Sequence, residues 1–332
     1  ACTSIISDDD RLYSLADTRQ TFAAHRKAQN GNVKAAIELE KECAKGDRRL
    51  KIVGRSVKAK IFFYNIKPND SLYATEMKAC LNEAIEMEDL YLQAEFGRWY
   101  SEMLNTLGKK ELSIQYAITS LGLHQHLGFE NFAAVSIFYL WVGETLLQTD
   151  YLPEAISYLQ TGLQLASTDT LVRPFRRMFT YNNLGLAYRQ LNKHDSAIYY
   201  FEKLKNYCVE IKRPDWQQIA YKNRLPSFVA LNMLDSAKTV NSKLFEIAKT
   251  SKEPDDEMIA YEMLGKIAIK ENDYRKGIFN LLKSAEVNAG RNKKLLNRVY
   301  EALAECYETM GQQEKAYPYL KLARAYNDSV AI

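Results

Sequence analysis

Apolar residues recur along this chain at intervals of three and four, in blocks that come in pairs around short polar turns. That spacing keeps one face of an α-helix apolar, so each block reads as a helix and each pair as a helical hairpin. The segment from Tyr181 shows the pattern most clearly: Tyr181, Leu184-Gly185 and Tyr188, a turn with Asn192 and Asp195, then Ala197 and Phe201. The most apolar stretch, Phe132 to Gly143, is 12 residues long and runs into Glu144. A membrane span needs about 20 apolar residues, so this stretch is expected as a buried helix.

The same frame recurs. Tyr139, Val142-Gly143, Leu146, Ala155 and Leu159 match it upstream. Tyr261, Leu264-Gly265, Gly277 and Leu281 match downstream, with Ala268 in the second aromatic place. Tyr300, Leu303-Ala304, Tyr307, Ala316 and Leu320 match again. Two copies have drifted. One has Tyr221 and Ala237 but Arg224-Leu225-Pro226 in place of Leu-Gly, and the other keeps a turn at Gly108-Lys109-Lys110 with Ser113 in the Ala place. The small residues Ser113, Ala155, Ala197, Ala237, Gly277 and Ala316 are 42, 42, 40, 40 and 39 apart.

This frame resembles the tetratricopeptide repeat (TPR), with the period stretched to about 40 residues. The resemblance implies an all-α fold, a right-handed superhelix of about eight helical hairpins. In it the Gly after Leu lets the two helices of a hairpin approach closely. The small residue on the second helix fits beneath, and aromatic residues fill the space between repeats. No repeat buries its apolar face alone, so stacking is required. Tyr139, Tyr181, Tyr261 and Tyr300 hold one place in the repeat and are expected in the core. The extended period is similar to that of envelope sensors of Bacteroidetes-type bacteria and of peptide-sensing regulators.

The resemblance is specific over 97–329. Residues 10–96 keep the periodicity without the signature: Arg11 to Gln29 and Val33 to Ala44 read as one hairpin, Arg49 to Ile66 and Ser71 to Met87 as another. With residues 1–9 as a tail, one continuous solenoid is the simplest organisation.

Composition narrows the function little. Hydrophobic residues make up 47% and charged residues 26%, an ordinary globular balance, and a net charge of +4 is too mild to argue for nucleic acid. Cys2 after the small Ala1 matches what remains of a bacterial lipoprotein cleavage site, which makes Cys2 a candidate lipidation site. The alternative is a boundary before a helix capped by Ser7 or Asp8. Cys43, Cys80, Cys208 and Cys306 form no CxxC and read as buried small hydrophobes.

Catalytic and metal signatures are missing. His124 and His126 lie two apart, about 200° around a helix, so they share no metal and are expected at the surface or a loop end. His194-Asp195-Ser196 has the letters of a triad, but neighbours in sequence cannot take its geometry. It reads as a turn, with Asp195 or Ser196 capping the next helix. No phosphate-binding loop, HExxH or dinucleotide fingerprint occurs. A non-enzymatic protein without cofactor or metal is expected.

In the TPR family the first helix of each hairpin lines the inner groove. Carried onto this sequence, its exposed places are Arg98, Glu102 and Asn105, then Leu140, Glu144 and Leu147, then Asn182, Leu186 and Arg189. Lys222, Pro226 and Val229 follow, then Glu262, Lys266 and Ile269, and finally Glu301, Glu305 and Glu308. Lys270 joins Lys222 and Lys266 in a basic stretch, and the three glutamates form an acidic strip. Charge reversal at Arg189 and Lys222 is expected to weaken partner binding at unchanged helicity and melting temperature. Pro226 and Lys266 replace the asparagines of a chaperone-tail clamp and argue against one, and Pro226 is expected to kink its helix.

The resemblance thus implies a scaffold that holds a protein or peptide segment. As the sensory part of a bacterial signalling protein it would sit in the periplasm or cell envelope, meeting the membrane only through a lipid anchor or a further segment. The alternatives are a cytoplasmic signalling-peptide regulator and a lipid-anchored assembly scaffold.

Overall fold

Short turns with left-handed residues set the architecture. Asn192, Asn232 and Asn272 take φ of 56°, 58° and 64°, and Gly108 and Gly311 take 75° and 71°. Each stands just past a helix end, where a positive φ turns the next N–H back onto the last helical turn. The N–H of Lys193 donates to the Tyr188 carbonyl at 2.9 Å, and that of Asp273 to the Ala268 carbonyl at 2.9 Å. Asn and Gly are the residues that take this conformation at least cost.

The computed structural model describes residues 37–38, 40–41, 43–60, 69–132, 135–149, 151–166, 174–251, 254–288 and 290–330. Fourteen α-helices are delimited among these residues, and no strand is present. The chain divides into two compact units, residues 1–173 and 174–332.

The first unit contains α1 (Arg48–Lys60), α2 (Asp70–Glu86), α3 (Leu90–Thr106), α4 (Lys110–Leu127), α5 (Val135–Leu146) and α6 (Leu152–Leu165). Asn69 and Asp89 cap α2 and α3 by accepting from the N–H groups of Leu72 and Leu92. Its main core joins Val53 and Val57 of α1, Met77 and Cys80 of α2, and Leu92, Phe96 and Trp99 of α3. Phe138 and Val142 of α5 form a second core with Ala117 and Leu121 of α4 and Ala155 of α6. The expected buried helix at 132–143 is therefore present, shifted toward Leu146. No helix among the described residues is long and apolar enough to cross a membrane.

The second unit contains α7 (Pro174–Gln190), α8 (His194–Glu210), α9 (Pro214–Ala230), α10 (Leu234–Ser251), α11 (Pro254–Lys270), α12 (Tyr274–Asn288), α13 (Lys293–Thr309) and α14 (Gln313–Val330). They form four hairpins in order. Each core is shared between a hairpin and the first helix of the next one. Met178, Leu204 and Trp216 join α7, α8 and α9. Leu225, Leu244 and Met263 join α9, α10 and α11, and Met258, Leu281 and Val299 join α11, α12 and α13. This sharing is why a single repeat does not stand alone.

Several expectations change in detail. The hairpin read at 49–87 is formed by Arg48–Lys60 and Asp70–Glu86. Cys2, the tail and nearly all of the hairpin at 11–44 lie outside the described residues. Helix α8 starts at His194 after Lys193, with no side-chain cap, so Asp195 sits in the first turn instead of capping it. Asp195 still stands in the first turn, near the positive end of the helix. Helix α9 runs on through Pro226 to Ala230. Tyr139, Tyr181, Tyr261 and Tyr300 are half-buried. Their rings rest 5.8 Å from Tyr158, 6.1 Å from Tyr207, 5.0 Å from Phe245 and 6.1 Å from Tyr319. Tyrosine packs its ring and leaves its hydroxyl near water, which explains the incomplete burial. Cys43, Cys80, Cys208 and Cys306 are buried, as expected.

Candidate functional site

In the second unit the first helices touch one another in succession, α7 to α9, α9 to α11 and α11 to α13. They build one wall, and the polar residues read from the repeat frame meet on it. Asn182 accepts from the Asn223 amide at 2.7 Å, and Arg189 Nη1 donates to the Asn223 carbonyl at 2.9 Å. Lys222 Nζ lies 2.7 Å from Asp256 Oδ1, while Gln218 donates to the other oxygen of Asp256. Glu262 holds Lys266 at 2.8 Å through one oxygen and Arg298 at 2.7 Å through the other. Asn292, the cap of α13, donates to Asp255 at 2.8 Å. Neighbouring first helices are thus cross-linked by hydrogen bonds and ion pairs between residues 34 to 41 positions apart.

This geometry corrects the picture of a freely exposed polar face. Glu262 and Leu140 are fully buried, and Val229 is buried. Arg98 is buried too, with its guanidinium 3.8 Å from Glu95, 3.6 Å from Glu102 and over the Phe138 ring. The first helices lie so close that these places face a neighbouring helix. Glu102, Asn105 and Glu144 are half-buried, whereas Lys270, Glu301, Glu305 and Glu308 are exposed. The basic stretch is partly compensated, because Lys222 and Lys266 each rest on a buried carboxylate. Reversing the charge of Lys222 would set a carboxylate against buried Asp256, so it changes fold stability as well as the wall.

His124 is a second correction. It is buried, its Nδ1 2.7 Å from the Ser120 carbonyl and its Nε2 3.4 Å from Glu95 Oε1, with Phe132 and Phe138 against its ring. Its place on the inner face of α4 puts it in the core, while His126 faces solvent. No group of three His, Cys, Asp or Glu able to hold a metal occurs among the described residues.

Arg298, Asn223, Gln218 and Asp256 escape a reading by repeat place. They stand one or more positions off the places taken to face the groove. Only the stagger of each helix against the next brings them into contact with Glu262, Asn182 and Lys222. Burial lowers the pKa of Arg189, nearby Arg298 lowers it further, and Glu262 opposes both. Helices α7, α11 and α13 therefore present charges that act on one another across the wall.

Residues 180–207 and 298–325 match the family model described as tetratricopeptide repeat. The frames read from Tyr181 and Tyr300 fall inside these two segments, so the chain carries tetratricopeptide repeats. Among solved structures it is similar to a signal transduction ATPase with numerous domains from Pyrococcus horikoshii that carries a tetratricopeptide repeat sensor. Identity is 19% and the TM-score 0.56, over 90% of this chain and 43% of that one. It is also similar to the apo form of RapI, with 13% identity and a TM-score of 0.57, over 84% of this chain and 98% of that one. This chain spans less than half the length of the Pyrococcus protein. At such identities the likeness shows the fold, an all-α solenoid of helical hairpins. No curated protein matches the chain in sequence.

Proposed function

We propose that this chain, built of tetratricopeptide repeats, is a non-enzymatic scaffold that binds a protein or peptide segment on the first-helix wall. In this reading it is the sensory or regulatory part of a bacterial signalling protein, placed in the periplasm or cell envelope. The observation that carries the reading is the continuous wall of α7, α9, α11 and α13. A wall of parallel helices lined with amides and charges offers hydrogen bonds to an extended backbone and to side chains. The likeness to a protein whose tetratricopeptide repeats are a sensor supports the regulatory part of the reading.

Selection from a displayed library of random peptides on the immobilised chain tests it. Enriched peptides should bind the purified protein, and the combined substitutions Asn182→Ala and Asn223→Ala should weaken them. A selection that enriches no peptide, or peptides indifferent to these substitutions, would remove the assignment.

A further inference from the structure

His124 belongs to a charged cluster inside the first unit, where α4 packs on α3. Its side chain and that of Glu95 are sealed from solvent, with exposures of 0% and 1%. The neighbours of the ring fix where it carries its protons. Nδ1 lies 2.7 Å from the Ser120 carbonyl. Ser120 Oγ, 3.5 Å from Nδ1, already donates its own hydrogen to the Ala94 carbonyl at 2.6 Å. Both neighbours are acceptors, so Nδ1 is a donor. Nε2 lies 3.4 Å from Glu95 Oε1. A neutral ring would therefore aim its Nε2 lone pair at a carboxylate oxygen.

The charges around the pair point the same way. Arg98 Nη1 lies 3.8 Å from Glu95 Oε1, and its Nε lies 3.6 Å from Glu102 Oε1, both too long for hydrogen bonds. Within α3, Glu95 and Glu102 thus face the single guanidinium of Arg98, which leaves one negative charge over. A proton on Nε2 cancels it. The other helices bring little charge to the ring. Phe132 and Phe138 stand 4.1 and 5.7 Å from it, and the single charged residue of α5 is Glu144, half-buried. Lys78 of α2 is held by the Tyr116 hydroxyl at 2.6 Å, and Lys60 of α1 stands over the Trp99 ring at 5.1 Å. On α4 itself His126 is exposed. A carboxylate sealed in such a setting needs a cation at hydrogen-bond distance.

We propose that the first unit contains a pH-sensitive latch: His124, as the imidazolium, ties α4 to Glu95 of α3, and loss of its Nε2 proton at rising pH loosens that contact. A free imidazole loses its proton near about pH 6.5. Above that value the unfolded chain gives up a proton that the native pair needs, so stability falls as pH rises. Below it both states hold the proton, and the contribution of the contact is complete. The latch is independent of any ligand on the wall of the second unit, and it works at a lower pH than the buried thiols.

Hydrogen exchange of the full chain, read by mass spectrometry at about pH 6 and about pH 8 and corrected for intrinsic rates, tests the latch. Protection of α3 and α4 should fall about tenfold between the two conditions. Protection of α11 to α14, which carry no histidine, should stay constant. Glu95→Gln keeps the contact without the proton, because the amide donates to a neutral Nε2. In this variant the protection of α3 and α4 should be the same at both pH values. His126→Gln, on the exposed face of the same helix, should behave like the unaltered chain.

Equal protection of α3 and α4 at both pH values in the unaltered chain would overturn the proposal. So would a Glu95→Gln variant that keeps the pH dependence of the unaltered chain. If that variant fails to fold, the nitrogen NMR signals of the histidine rings in the unaltered chain at about pH 7 decide. They are assigned through His25→Gln, His126→Gln and His194→Gln. A His124 ring protonated on both nitrogens upholds the latch, and a neutral ring with its proton on Nδ1 alone sinks it.

Discussion

Gly143, Gly185 and Gly265 each face a large side chain sixteen residues later, Leu159, Phe201 and Leu281. A Cβ at these glycines would stand 2.6, 2.5 and 2.7 Å from the facing side chain, so the two helices are as close as a missing side chain allows. Gly185→Val should lower stability by about 2 kcal/mol in a urea melt, because a packed interior yields little to added volume. Adding Phe201→Ala should then cost less than it does in the unaltered chain. In the drifted copy Leu225 takes the glycine's place and Asn241 that of the large residue. A large residue thus stands where other copies have glycine and a smaller one where they have Leu or Phe, and the Asn241 amide donates to the Ala260 carbonyl at 3.0 Å. The repeat frame marks Leu225 as an exception, but the compensating Asn241 is legible only once the sixteen-residue pairing is known. Arg224, in the Leu place, likewise survives burial by pairing with Glu202 and covering the Tyr221 and Phe228 rings.

At the scale of elements, the turns matter as much as the helices. Asn232 closes α9 onto α10 with φ 58° and its N–H on the Val229 carbonyl at 3.1 Å. Asn232→Ala should cost about 1 kcal/mol, since alanine takes the left-handed conformation at a steric penalty that asparagine partly avoids. Asn232→Gly should leave the denaturation midpoint nearly unchanged. The asparagines and glycines at these turns stand out in the sequence, which is why the hairpins from residue 97 onward were legible. Lys212 and Glu88 also take positive φ, at 56° and 53°, at helix ends with no sequence signal. Packing of the flanking helices holds them there. The wall is likewise an element-scale feature. Its residues were legible as places on first helices, but their partners were not, because the stagger between helices is not written in the period.

For the whole molecule, burial of ionisable groups predicts how stability varies with pH. Burial pushes the thiols of Cys80, Cys208 and Cys306 up to about 11, and raises the Tyr139, Tyr158, Tyr207, Tyr300 and Tyr319 hydroxyls. In the unfolded chain a thiol loses its proton near pH 8.5, roughly its free value. Between there and about 11 the native state binds more protons than the unfolded state, so the stability of the fold decreases as pH rises. The melting temperature should therefore fall steadily through that window, as calorimetry at a series of pH values would show. Replacing Cys80, Cys208 and Cys306 together by Ala should flatten the slope.

The sequence by itself determined the all-α class, the hairpin repeat, the close-approach glycines and the turn residues. These follow from spacing along one chain, because helical period, small-residue places and left-handed turns are local demands on backbone and volume. Only the tertiary structure decided which polar groups face solvent and which are buried against their neighbours. Glu262 and Glu301 hold the same place in the repeat, yet one is sealed beneath Lys266 and Arg298 and the other faces solvent. A buried charge needs a partner at hydrogen-bond distance, and that partner is supplied by the next helix, some 35 residues away along the chain.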